Sequence, residues 1–177
     1  MSAALAGLLM AVVLVTSTLS GVFGMAGGLI LMGVLTLSLP TAQALALHGL
    51  TQMVSNGSRI VLHWKHISVR VVGFYAVGAV VTMAGFSLVT YSPDKATVFL
   101  ALGLLPILVW LPEDRIPLDA SRPGHAVLAG VLSTALSLTA GISGPLNDVF
   151  LVRSRMSRHQ VISTKAALQM FSHLSRS

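Results

Sequence analysis

The chain has 177 residues, of which 54% are apolar and only 9% charged, and its mean hydropathy is +0.86. Soluble domains carry about 25% charged residues, so a water-facing globule is excluded and an integral membrane protein is expected. The formal net charge of +6 would suit nucleic acid in a soluble protein, but the basic residues sit in short turns between apolar runs. Membrane orientation explains them there, and no nucleic-acid partner is called for.

Residues 71–91 and 126–147 carry no formal charge, and each run is long enough to cross a hydrocarbon core of roughly 30 Å. They lack the alternation of barrel strands, so a multi-pass bundle of helices, an all-α fold, is expected. The first segment, residues 3–23, has no Lys or Arg ahead of it and no convincing A-x-A-like site, and so reads as a retained span. It ends in GVFGMAGG (21–28), and the apolar piece 29–39 that follows is too short to cross as a helix. Pro40 restarts the chain. These pieces predict a helix broken at mid-membrane or a re-entrant hairpin, tolerated only where it lines a protein cavity.

Residues 41–63 form a third, more polar helix, and the basic turn HWKHISVR (63–70) leads to the span 71–91. A shorter span, 96–111, is expected to kink at Pro106. The sustained polar linker is PEDRIPLDASRPG (112–124). Residues 125–152 then carry a second break, TAGISGP (139–145), and a basic turn RSRMSRH (153–159) precedes a final helix, 160–174.

The later stretch echoes the earlier one at an offset of 117 residues. Gly7, Leu19, Ser20, Gly24, Gly27 and Leu29 fall on Gly124, Leu136, Ser137, Gly141, Gly144 and Leu146. Gln43, Gln52, Met53, Ser55, Ser58 and Arg59 fall on Gln160, Gln169, Met170, Ser172, Ser175 and Arg176. Duplicated halves with Gly-broken helices are a transporter pattern. Residues 1–117 read as a first membrane repeat and 118–177 as the start of a second, lacking counterparts of 61–117. Either the chain is a fragment or a natural truncation, or a second copy of it or another subunit completes the bundle. The basic turns 59–70 and 153–158 are both cytoplasmic under the positive-inside rule. Turn 153–158 corresponds to 36–41, which lies opposite 59–70 if one span separates them, so the halves are expected to be inverted.

Chemistry concentrates on two helices. His48, Gln52, Asn56, Arg59 and His63 share one face of the third, and Lys165, Gln169, His173 and Arg176 one face of the last. Charged and polar groups at membrane depth need a cavity or a partner, so both stripes read as cavity wall, with helix-to-helix hydrogen bonding as the plainer reading. Lys165 is the expected cation beside an anion, whereas Arg59 and Arg176 lie near helix ends and snorkel. Broken helices expose backbone N–H groups and a positive dipole end, which suit an anion. The glycines equally serve close helix packing. Asn147 and Asp148 follow the second break, where Asp148 fits either a proton or cation role or the capping of the next half-helix. The expected substrate-binding set is Gly24, Gly27, Gly28, His48, Gln52 and Asn56 with Gly141, Gly144, Pro145, Asn147, Lys165, Gln169 and His173. No cofactor or metal is implied.

SGVFGMAGGLI (20–30), the short apolar run, Pro40 and the polar helix, with AGISGPL (140–146), a basic turn and another polar helix, resemble the TauE/SafE sulfite exporter family, also called the 4-toluene sulfonate uptake permease family. The resemblance implies a multi-pass transporter of sulfite, sulfonates or related organic anions in the bacterial inner membrane. It places the Gly-rich signature at Gly24, Gly27, Gly28, Gly141, Gly144 and Pro145. The first motif departs from a denser glycine run, and the final spans have no counterpart.

Other readings weigh less. GISG (141–144) matches the G-x-S-G of intramembrane serine proteases, with His173 as base, but Ser143 aligns with Ala26. His63 and His66 have metal-ligand spacing but lie in a turn beside basic residues and lack a third ligand nearby, and Trp64 between them reads as an interfacial anchor. A non-transporting membrane scaffold or assembly factor is the main rival, and a channel a lesser one.

Overall fold

The computed structural model describes residues 3–23, 26–109 and 117–174. Their regular structure is helical throughout: α1 (Ala3–Phe23), α2 (Ala26–Ser38), α3 (Thr41–His63), α4 (Val69–Ser87), α5 (Lys95–Val109), α6 (Pro123–Ala140), α7 (Gly144–Leu151) and α8 (Arg158–Leu174), with a 3-10 turn at Trp64–His66. Prolines stand at the starts. Pro40 is the N-cap of α3, and Pro123 and Pro145 lie in the first turns of α6 and α7, where a missing N–H breaks no helical bond. Gly141 ends α6 at φ 77°, its N–H donating to the Ser137 carbonyl. That left-handed conformation is open to glycine without a Cβ clash.

Two of the described helices, α4 and α6, are long and apolar enough to cross a membrane, while the apolar stretches Gly7–Ser20, Ala26–Ser38 and Lys95–Ile107 are shorter. The polar helices α3 and α8 bury their stripes: His48, Gln52, Asn56, Lys165, Gln169 and His173 are all below 9% exposed.

Both breaks resolve as hairpins. α2 folds back on α1, so close that a Cβ on Gly27 would stand 2.0 Å from the Thr16 carbonyl oxygen. Leu31 and Leu35 of α2 share a core with Leu9 and Ala44. In the same way α7 lies back along α6, where the Ser133 hydroxyl donates to Asn147 Oδ1 at 2.8 Å. α4 crosses α6 with backbones almost touching, because Cβ atoms on Gly78 and Gly130 would come within 2.1 Å of the Val127 and Tyr75 carbonyl oxygens. α5 fits against α2, α6 and α7, with Met32, Val98, Leu105 and Ile142 in its core.

α3 packs along α8 and runs antiparallel to it. The His48 and His173 rings lie 5.8 Å apart at one end and the His63 and His159 rings 5.7 Å apart at the other. Two expectations shift. The span read at 71–91 is Val69–Ser87; the shorter span is Lys95–Val109, with Pro106 inside it. The described portion of the linker turns inward, since Leu118 packs on the core and Ala120 donates its N–H to the Phe150 carbonyl at 3.0 Å.

Candidate functional site

A cavity of about 20 Å³ lies where the two hairpins meet α3 and α8, room for about one water. From the first half of the chain Gly28, His48 and Gln52 face it, and from the second Gly144, Pro145, Gln169 and His173. A Cβ on Gly28 would stand 2.9 Å from Gln52 Nε2, and one on Gly144 only 2.7 Å from Gln169 Nε2. Each glutamine amide therefore rests on the bare backbone of a helix break. Gln52 and Gln169 are equivalent at the 117-residue offset. His48 Nε2 lies 3.2 Å from the Gly28 carbonyl and 3.4 Å from Gln52 Nε2. A carbonyl only accepts, so the hydrogen sits on Nε2 in that contact and the Gln52 NH2 is not used there.

The cavity gathers seven of the expected residues and leaves the others elsewhere. Gly27 is spent on packing against α1, and Gly141 caps α6. Asn56 is wholly buried with neither amide atom hydrogen-bonded. Asn147 accepts from Ser133. Lys165 Nζ lies 2.6 Å from both carboxylate oxygens of Asp148, with the two side chains 8% and 13% exposed. Asp148 sits inside α7, whose N-cap is Ser143, so it does not cap that helix. Arg59 donates to the Ser20 hydroxyl at 3.3 Å rather than reaching out to the surface. Gly24 and Arg176 lie outside the described residues.

A family model described as Sulfite exporter TauE/SafE matches residues 9–177. The chain belongs to that family. No curated protein and no solved structure matches it. A TauE/SafE protein is a membrane transporter and not an enzyme. The serine-protease alternative also lacks its geometry in this TauE/SafE chain. Ser143 and His173 both face the cavity, but the Ser143 hydroxyl has no hydrogen-bond partner, where a nucleophile needs its base within about 2.6–3.2 Å.

Sequence reasoning about this TauE/SafE protein misses three features. Ser20 and Ser143 line the cavity. Ser20 is within reach as a repeat identity with Ser137, whereas Ser143 stands out in the sequence only as a nucleophile. Tyr75, fully buried in α4, hydrogen-bonds Ser172 of α8 at 2.6 Å, and nothing in its uncharged surroundings marks it. Finally, His159 supplies a third imidazole beside His63 and His66, with ring centroids 5.4–6.4 Å apart. Among the described residues no His, Asp or Glu group is placed to hold a metal ion. Trp64 beside them is 63% exposed, with Lys65 Nζ 5.7 Å from its ring centre.

Proposed function

We propose that this TauE/SafE protein is a secondary transporter that moves sulfite, a sulfonate or a related small anion across the bacterial inner membrane. The observation that carries the reading is the cavity wall, which takes the same glycine–glutamine contact from each half of the chain. The glutamine amides offer N–H donors, and α7 begins at the wall with Gly144 and Pro145, directing the positive end of its dipole inward. A wall of donors suits an oxyanion.

In this reading residues 1–117 form the first membrane repeat and 118–177 begin the second, in a multi-pass bundle. The repeat-equivalent helices α3 and α8 run antiparallel, which supports inverted halves. Inverted halves meeting at a central site move by rocking one against the other, so that the site faces each side in turn. A cavity with room for about one water is then a closed stage of that cycle.

Radiolabelled sulfite flux into proteoliposomes tests this. Gln52→Ala and Gln169→Ala are each expected to raise the half-saturating concentration about tenfold or more, because a hydrogen bond to a charged group contributes about 1.5–3 kcal/mol. Unchanged half-saturation in both variants would reject the site. No flux of sulfite or any sulfonate would reject transport and favour the scaffold.

A further inference from the structure

Among the described residues the cavity wall has no Lys, Arg, Asp or Glu, so apart from two histidines their lining is formally neutral. An anion drawn there from water needs a compensating charge. The buried cation Lys165 lies one helical turn before Gln169 on the same face of α8, about 6 Å along the axis. It is held by Asp148, which lies one turn beyond the wall residues Gly144 and Pro145 on α7. Both elements that build the second half of the wall thus carry one member of a largely buried ion pair, with Asp148 13% exposed.

We infer that Asp148 and Lys165 form a proton-operated latch: protonation of Asp148 releases the Lys165 ammonium to the anion in the cavity, coupling one proton to one anion. This rests on the anion-transport reading above and names its coupling ion. The Lys165 ammonium rides on a flexible four-carbon stem, so it can change partners without moving the helix. If it did so while Asp148 stayed ionised, a partly buried carboxylate would lose its direct partner and keep only the more distant charge of Arg59, which is unfavourable. Proton uptake removes that penalty. Anion binding and Asp148 protonation therefore favour each other, and by the same factor in both directions.

The charges balance. Before the exchange the carboxylate and ammonium cancel; afterwards a neutral carboxyl stands beside an ammonium cancelled by a monovalent anion. The proton comes from water and ends as the carboxyl O–H, so the loaded site is as neutral as the empty one.

Among the described residues, these titratable or charged groups stand on the elements around Asp148. Lys165 comes from α8 and Arg59 from α3, the latter near enough for its charge to act on Asp148. His48 and His173 stand on the cavity side, the Tyr75 hydroxyl lies in the core toward α4, and Arg153 follows α7 directly. Residues 96–107 of α5 and 126–140 of α6 add no charge; Lys95 and His125 lie at the starts of those helices.

Sulfite binding to purified wild-type protein and to Asp148→Asn, measured across pH 5–8, tests the latch. Both proteins meet the same mixture of sulfite species, so the ratio of their affinities isolates Asp148. The Asn variant is expected to be the tighter binder, with its advantage growing as pH rises from 5 to 8 and exceeding tenfold at pH 8; Lys165→Met binds weakly at every pH. A ratio that stays constant across pH overturns the latch while leaving anion binding intact. Wild-type protein needs no substitution for a second test in phosphatidylethanolamine–phosphatidylglycerol vesicles. An inward proton gradient should drive sulfite accumulation above protein-free vesicles, and a potassium–valinomycin potential alone should not. Accumulation driven by the potential alone overturns the neutral coupling. Absence of both binding and flux overturns the transport reading itself.

Discussion

Adjacent glycines at the first break serve different ends, and the neighbour of each missing Cβ decides which. On Gly27 a methyl would meet the Thr16 carbonyl oxygen at 2.0 Å and the Ser20 nitrogen at 2.6 Å, both backbone atoms of α1. On Gly28 or Gly144 it would meet a glutamine amide, at 2.9 or 2.7 Å, the far end of a flexible side chain. Gly27→Ala therefore has to push α1 and α2 apart, an overpacking penalty of about 1–3 kcal/mol or more. Thermal unfolding should show it as a fall in Tm of several degrees. Gly28→Ala and Gly144→Ala should unfold close to wild type and instead lose sulfite affinity, because the amide is pushed off the backbone it rests on. Equal behaviour of all three variants would dissolve the distinction. The glycine pair was visible in the sequence. The division between its members was not, because it depends on which side of α2 each one faces.

At the scale of elements, period did most of what the sequence allowed. The spacing of His48, Gln52 and Asn56 on α3 and of Lys165, Gln169 and His173 on α8 marked both buried faces, and the two faces pack on each other. The choice between a straight broken helix and a hairpin stayed open, because it is made by contacts far apart in sequence, Gly27 with Thr16 and Ser133 with Asn147. The α4–α6 crossing at Gly78 and Gly130 was equally hidden, since a glycine in an apolar run fits packing in any direction. One boundary signal is local. Asp94 precedes α5 and accepts hydrogen bonds from the Thr97 hydroxyl and, at 2.8 Å, its N–H, which hold its carboxyl below the usual value of 3.8. The folded value is the lower one, so this contribution is complete above that usual value and is lost as pH falls through the folded one. Hydrogen exchange in the first turn of α5 should be faster in Asp94→Ala than in wild type at neutral pH. The difference should close in strong acid. A gap that persists there would mean that Asp94 acts by something other than its charge.

For the whole molecule, the arrangement of the two halves turns on which turns share a side of the membrane. His63 and His66 stand against His159, so the basic turns 63–70 and 153–159 lie at one end, which their charge predicts to be the cytoplasmic one. The 23 residues of α3 span about 34 Å at 1.5 Å per residue, enough to carry the chain from Ser38 at one face to Lys65 at the other. Ser38 and Arg155 are equivalent at the 117-residue offset, and both are exposed. Inverted halves therefore place equivalent residues on opposite sides. The chain has no cysteine, so single substitutions report cleanly. A membrane-impermeant maleimide should label Lys65→Cys and Arg155→Cys from the cytoplasmic side only, and Ser38→Cys from the outer side only. Labelling of Ser38→Cys and Arg155→Cys from the same side would leave a duplication without inversion. The cavity would then join two halves facing the same way, and a rocking exchange of access around it would have no symmetry to work with.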